Sequence, residues 1–166
     1  MQRVKGFIQS LSVAEIIPAL AFALYGATWI IFHASARGIT HSLFQALALA
    51  EGVTATLLVR RKPLGSLLSI LIIYLIVDLE PLTLPPALFA VGTLAAIGRG
   101  RAVLIGTVTS LTVVLLMPHL HGNPVTISDA VWHVAAVVGA VLAGLLLRAR
   151  KQFAANPAQQ EQSGDV

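Results

Sequence analysis

Glu51 sits inside an apolar run, nine residues after Ser42 and eight before Val59. If that run crosses a membrane, the carboxylate lies near mid-depth, where a charged side chain costs about 3 kcal/mol on insertion scales. Such a group must face protein or water, or be protonated. Two chemistries follow. One is a proton- or cation-responsive site. The other is a protonated carboxyl bonded to a hydroxyl or carbonyl of a neighbouring helix, since Thr54 and Thr56 already put polar atoms on the same run.

A second set of candidates comes from the histidines. His33, His41, His119, His121 and His133 fall, with Asp78, Glu80 and Asp129, at the same side of the apolar runs once these are threaded through a bilayer. Imidazoles and carboxylates gathered at one face are the ingredients of a Zn²⁺ site or a pH sensor. The outer-face sensing or metal candidates are His119, His121, His133, Asp78 and Glu80. No spacing among them is diagnostic, and ordinary interfacial side chains are the alternative, so no metal site is assigned. Glu15 lies one turn into the first run, where it can reach the interface or sit at a helix N-terminus.

The elements that would position these residues are six apolar stretches, near 11–32, 42–59, 64–79, 82–97, 102–117 and 127–147. A membrane span needs about 20 mostly apolar residues, and the third to fifth stretches are short enough to require an upright helix or a locally thinned bilayer. Pro63 opens the third, and Pro85-Pro86 stands near the start of the fourth, where a missing N–H costs little. Gly98-Arg99-Gly100-Arg101 and His121-Gly122-Asn123-Pro124 read as turns. A cleaved signal peptide is the rival for the first stretch, with Ala34-Ser35-Ala36 as its cleavage-like site. Its length, Glu15 and Pro18 favour a retained helix.

Composition agrees. Of 166 residues, 57% are hydrophobic and 11% charged, with a mean hydropathy of +0.85; a soluble domain carries about a quarter charged residues. The net charge of +4 is distributed in short clusters between apolar runs rather than along one face, which excludes a nucleic-acid stripe. Arg60, Arg61 and Lys62, then Arg99 and Arg101, then Arg148, Arg150 and Lys151 act as topology determinants. With Arg3 and Lys5 they leave only Arg37, of 11 basic residues, on the other side. Both termini are then cytoplasmic by the positive-inside rule. Cysteine is absent, which rules out disulfides and thiolate metal sites. Small residues recur at packing spacing in Ala19, Ala23 and Ala27 and in Ala136, Ala140 and Gly144, and Trp29 and Trp132 fit an interfacial aromatic belt. There is no G-x-x-x-x-G-K-[ST], G-x-G-x-x-G, H-E-x-x-H or G-x-S-x-G, and no Ser/His/Asp set. The chain reads as a non-enzyme without cofactor.

Over residues 40–153 the chain resembles the N-terminal membrane region of actinobacterial two-component histidine kinases. The likeness rests on Arg60-Arg61-Lys62-Pro63-Leu64, on Leu88-Phe89-Ala90-Val91-Gly92-Thr93-Leu94-Ala95-Ala96 before the basic turn at Gly98–Arg101, and on a last helix ending in Arg148-Ala149-Arg150-Lys151-Gln152-Phe153. The resemblance implies a sensor-like module. No phosphorylated His and no nucleotide site carries over to any residue here, because Phe153 is followed by thirteen residues that include Asn156-Pro157.

The reading is an all-α integral membrane bundle of six transmembrane helices over residues 1–151, with a disordered cytoplasmic tail at 152–166. It sits in the bacterial inner membrane and signals through a separate cytoplasmic partner such as a kinase. The expected partners are the lipid bilayer and that kinase or another membrane subunit. A homodimer is compatible and nucleic acid is excluded. The alternative is a small transport subunit similar to the substrate-binding subunits of energy-coupling-factor transporters.

Overall fold

The computed structural model describes residues 12–33, 39–77, 80–120, 122 and 126–155, and among these the regular structure is entirely α-helical. Six helices follow in order: α1 (Val13–His33), α2 (Ile39–Leu58), α3 (Pro63–Val77), α4 (Glu80–Ile97), α5 (Gly100–Leu120) and α6 (Ile127–Ala155). Each expected apolar stretch maps onto one of them. The ends differ by at most three residues, except at the end of α6.

Local chemistry sets these boundaries. Ser12 donates both its backbone N–H and its hydroxyl to the Glu15 carboxylate, at 2.7 and 3.0 Å, which caps α1 with the S-x-x-E pattern. Thr126 and Asp129 repeat the arrangement at α6, the Thr126 hydroxyl donating to Asp129 at 2.6 Å and accepting from its N–H at 3.1 Å. Pro63 is the first residue of α3, as expected. Two expectations need correction. Pro85 and Pro86 lie inside α4, which begins at Glu80, so Pro86 leaves the Leu82 carbonyl without its helical donor. At that point Gly52 brings α2 against the Pro86 ring, where an added Cβ would stand 3.3 Å from its Cγ. The tail expected to be disordered from Gln152 is helical as far as Ala155, because Arg148 to Ala155 are mostly good helix formers. Residues 156–166 lie outside those described.

Helix α4 is the hub, touching all five other helices, with α6 its most extensive partner. The main core joins Ala55 and Val59 of α2, Leu67, Ile70, Leu71 and Tyr74 of α3, Ala87, Ala90, Val91 and Leu94 of α4, and Val113 and Val114 of α5. A helix surrounded in this way has no solvent stripe to present, which explains why α4 lacks polar residues on any face between Leu84 and Ile97 except Thr93. Helix α1 packs mainly on α2 and touches α4 more lightly, with Phe22 edge-on to Phe89 at a centroid distance of 5.9 Å.

The exterior is apolar. Leu24, Ile31, Leu47, Ile76, Leu104 and Leu146 are all more than half exposed, while Gln45, Thr56, Ser66, Thr83, Ser110 and His133 are buried. Two helices, α1 and α6, are long and apolar enough to cross a membrane. Only 17% of each of these segments is buried, which distinguishes them from the enclosed core helix of a water-soluble protein.

Candidate functional site

Glu51 is half-buried and opens onto a crevice of about 130 Å³ between α2 and α3. The crevice is lined by Thr54 and Leu58 of α2, Lys62 of the turn, and Ser66 and Ser69 of α3. It leads from mid-helix to the basic turn, about 10 Å away along α2 at 1.5 Å per residue. Two of its hydroxyls are already committed to their own helices: Thr54 donates to the Ala50 carbonyl at 2.7 Å and Ser69 to the Ser66 carbonyl at 3.1 Å. Such back-bonding satisfies a hydroxyl in apolar surroundings. Glu51 thus shares its crevice with hydroxyls along its length and with the Lys62 side chain at the turn end. Sequence reasoning singled out Glu51 and Thr54. It missed Ser66 and Ser69, which lie fifteen and eighteen residues further along on another helix.

At the opposite end of the bundle, His133 and Asp129 are the members of the expected histidine and carboxylate group whose side chains the structure describes. His133 is buried, and its Nδ1–H donates to the Asp129 carbonyl at 2.8 Å, so the ring is held by its own helix, while Asp129 is used as a cap. The side chains of His33, His41, His119 and Glu80, together with His121 and Asp78, lie outside the described residues. Among the described residues no three His, Cys, Asp or Glu side chains converge on a metal position.

The basic residues do converge. Arg60, Arg61 and Lys62 are exposed on the α2–α3 turn, and Arg99 and Arg101 are exposed around the α4–α5 turn. Arg148 donates to the Gly98 carbonyl at 3.0 Å, tying the end of α6 to that second turn, and Arg150 and Lys151 are exposed beyond it. Three segments distant in sequence therefore form one basic end.

That end closes a cleft of about 520 Å³ between α4 and α6. Leu88, Phe89, Thr93, Ala143 and Leu147 supply its walls, and Arg60 and Lys151 stand at the basic end. Its floor is a close helix crossing. A Cβ on Gly144 would overlap the Gly92 carbonyl oxygen and come 2.8 Å from the Ala95 Cβ, and one on Gly92 would come 3.0 Å from the Ala140 carbonyl oxygen. Small residues permit this approach, so Ala140 and Gly144 of the expected stripe are packing residues. In the first helix, Ala19 is buried at 4% exposure whereas Ala27 is exposed.

Fold and sites together define a class: an all-helical bundle with an apolar exterior, one strongly basic end, and two helices able to cross a membrane by length and composition. Compared with protein-family models, curated proteins and solved structures, the chain matches none.

Proposed function

We propose that this chain is a multi-pass protein of the bacterial inner membrane, crossing six times with both termini in the cytoplasm. In this reading it is a sensor-like module that signals through a separate cytoplasmic partner. The observation that carries the proposal is α6. It runs unbroken for 29 residues, about 43 Å at 1.5 Å per residue, against a hydrocarbon core of about 30 Å. Its last turns therefore extend past the bilayer with Arg150, Lys151 and Phe153 exposed. The same helix packs along α4, which touches every other helix, so a rearrangement elsewhere in the bundle has a direct route to the cytoplasmic end. The exposed apolar exterior and the convergence of basic residues at one end support the six-span topology. Helix α3, with 15 residues, spans only about 22 Å and requires a locally thinned bilayer.

A small transport subunit is the second reading, favoured by the α4–α6 cleft, whose volume is within the range that encloses small molecules. Against it, Ala19 of the stripe that would serve as a docking face is buried within the bundle. A photo-crosslinking residue at Phe153, followed by purification from the native host in mild detergent, tests the two. Crosslinks to a kinase or response regulator are expected. Recovery of paired ATPases with a membrane coupling subunit overturns the sensor reading in favour of transport.

A further inference from the structure

The α4–α6 cleft has a directional chemistry. Along α4 it extends from Leu88 to Ile97, about 14 Å at 1.5 Å per residue, which is close to half of a hydrocarbon core of about 30 Å. Its far part is apolar, over a floor set by the Gly92–Gly144 crossing. Two cations, Arg60 from the α2–α3 turn and Lys151 from the end of α6, line it at the basic end, and no carboxylate does. These cations belong to segments about ninety residues apart, so tertiary packing alone sets them beside one groove.

We infer that this cleft binds an anionic phospholipid of the cytoplasmic leaflet, with an acyl chain along the α4–α6 groove and the headgroup phosphate between Arg60 and Lys151. The inference rests on the six-span reading, which puts Leu88 near mid-bilayer and Lys151 at the cytoplasmic surface. An apolar slot about one leaflet deep fits an acyl chain, and a pair of cations without a counter-carboxylate selects a negative headgroup. Basic pockets between helices on the cytoplasmic side recognise anionic lipid in this way. A free phosphate would have no use for the apolar walls.

Native mass spectrometry of the full chain in detergent, titrated with dioleoyl phosphatidylglycerol or dioleoyl phosphatidylcholine, tests the inference. The wild type is expected to retain the anionic phosphatidylglycerol at least tenfold better than the zwitterionic phosphatidylcholine. Each cation near an anionic headgroup is worth about fivefold in affinity, so the double variant Arg60→Gln/Lys151→Gln should lose about 25-fold and bind both lipids alike. Both side chains are exposed, so the variant should keep its melting temperature. Ala143→Phe, which fills the groove, should exclude both lipids. Equal retention of the two lipids by the wild type, or an unaffected double variant, overturns the inference. So does displacement of the lipid by inorganic phosphate at equal concentration, which would make the site one for a free anion. Extraction of membranes with alkaline carbonate separates the two levels: a chain released by carbonate defeats the six-span reading and the lipid site with it, whereas a retained chain indifferent to headgroup charge defeats the lipid site alone.

Discussion

At the residue scale the bundle resolves its polar groups in different ways. Thr56 and Thr107 donate to carbonyls four residues earlier in their own helices, at 2.7 and 2.8 Å, which makes them self-sufficient in an apolar setting. His133 does the same through Asp129. Gln45 Oε1 and Ser110 Oγ are buried without a hydrogen-bond partner among the described residues. Glu51 is handled differently, by a crevice shared with Lys62 and with the helix-bonded Thr54 and Ser69. If that crevice is wet as far as Glu51, a cysteine there should form the reactive thiolate. The chain lacks native cysteine, so Glu51→Cys gives an uncluttered assay. It is expected to label with a water-soluble maleimide applied from the basic side, while Leu47→Cys, one turn away and 64% exposed on the apolar exterior, stays unlabelled. Equal labelling of the two would mean that Glu51 has no special access to water. Glu51 was legible because a carboxylate in an apolar run is conspicuous. Its surroundings were not, because Ser66 and Ser69 become its neighbours only when α3 folds back on α2.

At the element scale, helix starts were more readable than helix contacts. The Ser12–Glu15 and Thr126–Asp129 boxes are local signals, three residues apart, that fix the starts of α1 and α6 to the residue. Applied to the sequence, the same pattern would have moved the first expected boundary from 11 to 13. The α4–α6 crossing has no such local mark. Gly139 and Gly144 are five residues apart in one helix and look alike in sequence, yet an added Cβ meets nothing within 4 Å at Gly139 and the α4 backbone at Gly144. Gly139→Ala should therefore stabilise by up to about 1 kcal/mol, the difference in helix propensity. Gly144→Ala should destabilise by about 1–3 kcal/mol, the usual cost of overpacking. Thermal melts of both variants in the same detergent check the pair. Equal effects would mean that the crossing is looser than these distances require.

At the scale of the whole molecule, the proposed topology makes a sharp distinction between the two ends. Lys62→Cys and Gln152→Cys should react with a membrane-impermeant maleimide only after permeabilisation, and Ser128→Cys, exposed in the first turn of α6, should react in intact cells. All three positions reacting from one side would reduce the number of crossings. The histidine-rich end, expected as a sensing or metal face, contributes His133 and Asp129 to helix α6 itself, and the remaining candidates there lie outside the described residues. At the basic end, Arg148 ties α6 to Gly98, and Arg60 and Lys151 share a cleft.

The sequence by itself determined the helical class, the number and approximate limits of the elements, and the segregation of basic residues into two turns and the end of the last helix. These follow from apolar run length, from Pro and Gly at the boundaries, and from charge spacing, all of which act within about twenty residues. Only the tertiary structure decided that α4 is the centre, that Gly92 and Gly144 meet, that α6 continues as one helix to Ala155, and that a crevice and a cleft open beside Glu51 and Lys151. When nearly every face of every helix is apolar, hydrophobic periodicity no longer says which face turns inward. The choice passes to shape, where a missing Cβ lets two backbones close and a side chain that does not fit leaves a cavity between them.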